Sequence, residues 1–288
     1  AAIQQYRGLK HSDDTHDAFW LAEMLRLKIL PEGFIYPKET RPVRDLLRTR
    51  GHLVHHRTSL ILSLQNMLVR QGKPKVSGAK LKATRTDVVT PLLEENEDLL
   101  LSGMASKRAI DFLTKEILSL EKEILTRARP DSPYDLLLTL PGVGKILGLT
   151  ILLETGSIRR FSKVGRYASY CRKVPTSWTT NGKQKGKGNK KNGNRYLAWA
   201  FSEAAELARR WDDTCRSYFD RKKSKTSRMA AHQALAHKLA RAAFFIMRDQ
   251  VPYNETKLFE GHDGRGGEPR MGLDPQPPDL IGTRPGRL

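Results

Sequence analysis

The sequence predicts a mainly α-helical protein. Two long stretches carry apolar residues on a helical repeat, and most of the other apolar runs also follow helical spacing, bounded by Pro, Gly or a capping residue. In the first stretch Leu46, Leu53, Leu60 and Met67 recur every seven residues, each followed by Leu47, Val54, Ile61 and Leu68. In the second, Ile110, Leu113, Ile117, Leu120 and Ile124 alternate steps of three and four. Such a seam marks a helix packed along its length. Two readings stay open: an antiparallel coiled coil or dimerisation arm, and two core helices of a bundle.

Taken in order, residues 1–12 contain no acid, and Ser12-Asp13-Asp14 then precedes a helical pattern from Ala18 to Leu25. Ser or Asp before an apolar run is an N-cap signal, because its side-chain oxygen accepts an orphan backbone N–H. Phe34–Pro37 reads as extended. Pro42 opens the first long helix, where its missing N–H costs nothing, and Gly72-Lys73-Pro74 closes it; Arg129-Pro130 closes the second. Residues 73–105 are mixed, with helical pieces around Pro91–Leu101. Past Pro133 come Leu136–Leu140, the turn Pro141-Gly142-Val143-Gly144-Lys145, an apolar helix over Ile146–Glu154, a basic aromatic helix over Val164–Tyr170, a basic Gly/Asn loop over Asn181–Arg195, and helices over Tyr196–Trp211 and Met229–Arg248. Residues 252–288 hold too little apolar content to fold alone and are expected to be disordered.

The charge names the class of partner. The 288 residues carry 51 Lys+Arg against 31 Asp+Glu, a formal net charge of +20. A protein this basic gains affinity for a polyanion by displacing condensed counterions, so nucleic acid is the expected partner. Cys171 and Cys215 are too few for a disulfide framework or a Cys-based zinc site and read as structural thiols. No apolar run approaches the roughly 18 residues of a membrane span, and no signal peptide is visible. The expected location is the cytoplasm, on or near DNA, with no membrane partner.

Three groups could carry chemistry. The turn Gly142–Gly144 between two helical patterns has a helix-hairpin-helix arrangement: glycines let the backbone approach a phosphate, and Lys145 opens a helix whose free N–H groups face it. The alternative is a tight helix–helix turn with no ligand. Asn181–Arg195 holds five lysines and one arginine with four glycines, four asparagines and no acid. Lys183, Lys185, Lys187, Lys190, Lys191 and Arg195 would follow a phosphate backbone there, with Lys163, Arg166 and Arg172 extending the patch; a solvated low-complexity loop is the alternative. Asp14 and Asp17, three apart at a helix start, share one face and could hold Mg²⁺ through oxygen ligands; from spacing alone they read first as helix-start acids. The hydroxyls of Thr176, Ser177, Thr179 and Thr180 precede the basic loop and read alone as turn chemistry. His52, His55 and His56 show no ligand pattern.

Together these pieces resemble the DEDD transposases of the insertion-sequence one-ten family, and within it the eleven-eleven subgroup. The matching strings are Lys10–Ala18, the long leucine-rich helices, LLTLPGVGKILGLTILLETGSIRRF from Leu137 to Phe161, and YCRKVPTSWTTNGKQKGKGNKKNGNRYLAWAFSEAA from Tyr170 to Ala205. The resemblance covers residues 1 to about 251. It implies a RuvC-like nuclease fold bearing four acids that bind Mg²⁺, a coiled coil, and a second domain with a catalytic serine. It further implies DNA strand exchange by phosphoryl transfer, a structured non-coding guide RNA, and a homo-oligomer. Carried over, the last two acids fall on Asp14 and Asp17. The first Asp and the Glu would lie upstream of Ala1, so the expectation is an N-terminally truncated chain with an incomplete metal site. The serine position is Thr180, a β-branched hydroxyl that is stiffer at χ1.

The expected fold is therefore mainly α: residues 1–38 as the remnant of an α/β RuvC-like nuclease domain with the few strands, 39–130 as the coiled-coil region, 131–251 as a helical domain with the helix-hairpin-helix and basic loop, and 252–288 as a tail. The expected function is DNA transposase. The alternatives are a catalytically dead nucleic-acid-binding fragment of one, and an unrelated helix-hairpin-helix protein of repair or RNA metabolism.

Overall fold

A computed structural model of the chain describes residues 14–30, 33–83, 93, 96–128, 132–174, 177–180, 183–187 and 192–259. Helix α1 (Asp14–Arg26) has Asp14 and Asp17 in its first turn and buries only Met24. Phe19, Leu25 and Ile35 stay exposed. Residues 33–37 form a strap with no regular secondary structure.

Helix α2 (Arg41–Arg70) carries Pro42 in its first turn and ends before Gly72, whose φ of +68° turns the chain out of the helix. The short α3 (Gly78–Ala83) follows, and α4 (Glu97–Ala128) returns along α2. The pair is antiparallel: Arg50 Nε donates to Glu121 at 2.8 Å, and Arg57 Nη1 donates to Thr114 at 3.3 Å. Seam residues Leu47, Ile61, Met67 and Leu68 of α2 and Ile110, Ile117 and Ile124 of α4 are buried, and Leu64 joins them at zero exposure. The partner of each long helix is thus the other one in the same chain. Ile61, Leu64, Leu68, Leu81, Leu93 and Ile110 form the core of one end, and Leu47, Ile124, Tyr134 and Leu149 join the other end to the helices that follow. Helix α4 starts at Glu97, inside the stretch read from the sequence as mixed. Lys107, buried in α4, pairs with Asp111 one turn on.

Helices α5 (Ser132–Leu138) and α6 (Lys145–Thr155), a 3₁₀ turn at Ile158–Arg160, α7 (Val164–Tyr170), α8 (Arg195–Trp211), α9 (Asp213–Lys225) and α10 (Arg228–Asp249) complete the body. The centre is Tyr167 at zero exposure, edge-on to Phe161 and Phe201 and tilted against Phe244. Alanines let α8 and α10 lie against it: Ala200, Ala204, Ala205 and Ala208 on one helix, Ala236, Ala240 and Ala243 on the other, all buried. Cys171 and Cys215 are buried and free. Among the described residues no helix is long and apolar enough to cross a membrane.

The fold is mainly helical, as expected, but its strands are not where the sequence placed them. Described residues of the 1–38 stretch form no strand; residues 1–13, where the upstream part of the Lys10–Ala18 string falls, lie outside the described residues. The two strands found, β1 (Ser177–Thr180) and β2 (Lys183–Lys187), pair antiparallel across what was read as a loop. The structure divides at Tyr253/Asn254. In the second unit Glu255–Phe259 is a short helix, α11, opened by Asn254 Oδ1 accepting from the Lys257 N–H at 3.0 Å. This corrects the expectation of disorder for those residues; residues 260–288 lie outside the described chain.

Gly142 has φ +75°, and a Cβ there would sit 2.1 Å from the Ala204 carbonyl oxygen and 2.6 Å from the Ala208 nitrogen, both backbone atoms of α8. Gly144 has open space around its Cα. Gly142→Ala is therefore expected to cost about 3 kcal/mol through overpacking and positive-φ strain, which lowers the melting temperature by roughly 6–12 °C. Gly144→Ala should cost less than about 1 kcal/mol. Thermal unfolding of the two variants side by side checks this.

Candidate nucleic-acid interface

The site is built around the paired strands. Ser177 pairs with Lys187, Trp178 with Gly186, Thr179 with Gln184 and Thr180 with Lys183. The register shifts after Trp178, so Lys185 is an extra residue between Gln184 and Gly186, a β-bulge. Only Asn181 and Gly182 separate the paired Thr180 and Lys183, and Asn-Gly is the favoured pair for a two-residue connection. The β-branched and aromatic run Ser177–Thr180 suits a strand. That is why the segment pairs rather than remaining a loop.

Both ends of this segment are clamped to helices. At the entry, Arg172 takes φ +56° to close α7, and its own carbonyl accepts from Gln233 Nε2 at 3.1 Å. The Arg172 guanidinium donates to the Gly193 carbonyl at 2.8 and 3.2 Å, tying entry to exit. At the exit, the Asn194 N–H donates to the Tyr170 carbonyl at 2.7 Å. Gly193 has φ +92°, and a Cβ there would stand 2.4 Å from that same carbonyl oxygen. Only glycine fits.

Below the clamp lies a polar hub. Glu154, near the end of the apolar α6, is 1% exposed. Its two carboxylate oxygens accept from Arg48 Nε at 2.6 Å and Nη2 at 2.9 Å, and Oε2 also accepts from Asn194 Nδ2 at 2.7 Å. Asn194 Oδ1 in turn caps α8, accepting from the N–H groups of Tyr196 and Leu197 at 2.8 and 3.1 Å. The Glu154 carbonyl accepts from the Tyr36 hydroxyl at 2.7 Å, and Tyr36 meets the Tyr170 hydroxyl at 3.1 Å. Burial, reinforced by the Tyr170 hydroxyl, pushes the Tyr36 phenol up to about 12. For Tyr170 burial acts upward too, but hydrogen bonds from Tyr36, Arg160 and Asn194 outweigh it and hold this phenol below its usual value. Arg160 fills an aromatic nest: its guanidinium carbon lies 4.3 Å from the Phe34 ring centre, 4.4 Å from Phe161 and 4.5 Å from Tyr170. Each such contact contributes about 0.5–2 kcal/mol. The hub thus joins the strap, α2, α6, α7 and the start of α8.

The residues expected from the sequence separate into groups. Thr180 and Lys183 are paired neighbours, Lys185 is the bulge and Lys187 ends β2. Lys190 and Lys191 lie outside the described residues. Arg195, exposed, opens α8 and stacks on Tyr196 at 4.9 Å. Gly144 and Lys145 are exposed at the start of α6, with Gly144 as its N-cap. Gly142 differs: the space its missing Cβ leaves is filled by the α8 backbone, so its described role is packing. Asp14 and Asp17 are exposed on α1. Among the described residues no three His, Cys, Asp or Glu side chains come together to hold a metal. The two carboxylates do not by themselves fill the octahedral shell of Mg²⁺, and no metal-dependent step is derived from them. His52, His55 and His56 are exposed.

Sequence reasoning missed Glu154, Arg48, Asn194, Tyr36 and Arg160. A lone acid inside the apolar run Ile151–Glu154 signals a buried, paired carboxylate. Asn before a helical pattern signals an N-cap. Arg48 has no local signal.

Residues 134–220 match the family model described as transposase IS116/IS110/IS902 family. That span runs from α5 into α9 and includes the paired strands with four contributors to the hub: Glu154, Arg160, Tyr170 and Asn194. A probable family 20 transposase of Pseudomonas aeruginosa is 26% identical over 198 residues, 66% of this chain and 57% of its own length. The transposase for insertion sequence element IS1111A of Coxiella burnetii is 27% identical over 196 residues, 65% of this chain and 52% of its own. An uncharacterized 42 kDa protein of insertion element IS900 from Mycobacterium paratuberculosis is 30% identical over 154 residues, 49% of this chain and 38% of its own. The chain spans about half the length of the curated relatives it matches. These likenesses support a relationship to transposases of IS110-type insertion elements.

Two outcomes follow from the clamp. Glu154→Gln leaves the Arg48 guanidinium with only the exposed Asp45 carboxylate, at 3.9 Å, and is expected to cost about 3 kcal/mol; hydrogen exchange should speed up first at the Tyr196 and Leu197 amides, which Asn194 caps. The second concerns Lys173, which is 3% exposed and donates to Ser202 Oγ at 2.6 Å. Burial lowers this amine from 10.5 to about 8. Between those values the unfolded chain holds the proton and the folded one does not, so stability rises with pH from about 8 to 10.5. Denaturation of the wild type and Lys173→Met side by side at pH 7.5 and 9 isolates this contribution: the wild type should gain about 1 kcal/mol relative to the variant over that interval.

Proposed function

We propose that this chain is the nucleic-acid-binding portion of an IS110-type transposase and that it grips phosphate backbones through the lysine-bearing strand β2. The observation that carries the reading is the clamp. The segment that bears Lys183, Lys185 and Lys187 on β2 is closed where it leaves α7 and where it enters α8, through Arg172–Gly193 and Tyr170–Asn194, and Asn194 reaches the buried Glu154. A charge run that served only for solvation would need no such anchorage. Arg195, Gly144 and Lys145, all exposed at helix starts, add donors of the kind that bind phosphate; the α5–α6 turn would then act as a helix-hairpin-helix.

On this reading the partners are DNA and a structured guide RNA, and the working form is a homo-oligomer of the DEDD, eleven-eleven type. Asp14 and Asp17 would supply the last two acids of a RuvC-like Mg²⁺ site, and Thr180 would stand where the family has its nucleophilic serine. The remaining acids would have to come from outside this chain. The second form of the proposal is binding without cleavage by the chain alone, and it rests on the two carboxylates, which do not by themselves fill the shell of Mg²⁺.

Fluorescence anisotropy with labelled duplex DNA across a salt series tests the binding. Replacing Lys183, Lys185 and Lys187 with Ala should weaken it and reduce the log–log salt slope by roughly one unit per lost phosphate contact. A slope that does not change means that β2 does not touch phosphate. A strand-cleavage assay with Mg²⁺ separates the two forms of the proposal: cleavage abolished by Thr180→Ala supports the enzyme, and binding with no cleavage supports the non-catalytic fragment.

A further inference from the structure

Helix α9 ends in a segment that neither the motifs nor the family match absorbs. Residues 221–228 read RKKSKTSR, five cations in eight residues with no acid, and they lie just past the matched span that stops at residue 220. Arg221, Lys223, Lys225 and Arg228 are exposed, and Lys222 is half-buried. Complementing the helix dipole explains cations in the last turn of α9, but it does not explain their neighbours. Lys238 and Arg241 stand one turn apart in the middle of α10, far from either end. Lys238 rests with its amine 5.3 Å from the Tyr218 ring of α9. Tyr218, Lys222 and Lys225 lie on one face of α9 by their spacing of four and three. The two rows of cations therefore meet along the α9–α10 groove. Burial lowers the Lys238 amine, and Arg241, Lys222 and Arg221 lower it further, in that order, so these like charges feel one another. Asp220 acts on the other side, raising Arg209 of α8.

The chemistry around the cations narrows what they would meet. Ser224 Oγ donates to the Arg221 carbonyl at 2.9 Å, Thr226 Oγ1 to the Lys222 carbonyl at 2.7 Å, and Ser227 Oγ accepts from the Ala230 N–H at 3.2 Å. The hydroxyls are thus engaged with the backbone and offer little to a ribose 2′-OH, a group on which RNA readout relies. No aromatic residue occurs between 221 and 228, and Tyr218 is buried, so the bases of a single strand find nothing to stack on. What remains is charge alone, the kind of contact that positions a protein on duplex DNA without reading sequence.

We infer that the α9–α10 groove, through Lys222, Lys225, Lys238 and Arg241, is a second nucleic-acid-binding surface that takes the backbone of duplex DNA, separate from β2. The inference extends the proposed function and depends on it for the presence of DNA. The experiment compares three forms of the full chain on a random 20-base-pair DNA duplex, the matching single strand and the matching RNA duplex: wild type, Lys222→Ala/Lys225→Ala/Arg241→Ala, and the β2 triple variant. The groove variant should bind the DNA duplex roughly tenfold more weakly, with a salt slope shallower by about 0.9 per lost contact. Its affinity for the single strand should change less. Bound duplex DNA should also shield Lys225 of the wild type from acetylation more than Lys223, which lies off that face, a readout that needs no variant to fold. Unchanged duplex binding and slope in the groove variant, with a clear loss in the β2 variant, overturns the groove and leaves the proposed function standing. A loss confined to RNA or to the single strand overturns the choice of duplex DNA. No binding by the wild type overturns both readings.

Discussion

One buried carboxylate organises the centre of this molecule. Glu154 sits near the end of a helix made almost entirely of apolar residues, where a lone charge would be costly. Arg48 reaches it from α2 with two hydrogen bonds and Asn194 from α8 with a third. Three helices distant in sequence are therefore held by one group. Breaking any arm leaves polar atoms buried without partners, which gives the arrangement its rigidity. Because Asn194 also caps α8 and closes onto Tyr170, the same group fixes where the basic strand leaves the body.

The surroundings show how a highly basic protein keeps its charges in order. Some cations are placed against acids, as in Arg48–Glu154 and Arg50–Glu121. Others lie on aromatic faces: Arg44 stands 3.9 Å over Tyr36, and Arg160 sits among Phe34, Phe161 and Tyr170. Guanidinium tolerates this because it is planar and weakly hydrated. The lysines are distributed differently: those of α9 remain at the surface. The body uses arginine for structure and leaves much of its lysine for contact with solvent and partners.

Much of the helical frame was legible because it depends on spacing along one chain. Pro42, Gly72 and the seven-residue recurrence gave α2 to within one residue, and Val164–Tyr170 was read with its observed limits. The unread parts depend on pairing between distant segments. Arg48 looks like any surface arginine until α6 brings Glu154 to it. Gly142 looks like a phosphate turn until α8 is found in the space above it. The strand β2 was hidden by its lysines and glycines, which have low strand propensity, although Asn181-Gly182 was a readable hairpin signal. Helix α9 was missed because its few apolar residues, Cys215, Tyr218 and Phe219, are outnumbered by polar ones. For the candidate site, the basic segment could be read from composition, but its anchorage could not.

The strap at residues 33–37 has a consequence for how such a chain can change over generations. Tyr36 and Phe34 fasten it to the body through Glu154, Tyr170 and Arg160, whereas α1 before it buries one residue, Met24. Phe34 and Tyr36, not α1, make these contacts with Glu154, Tyr170 and Arg160. Insertions, deletions or wholesale exchange on the α1 side of the strap leave these contacts intact.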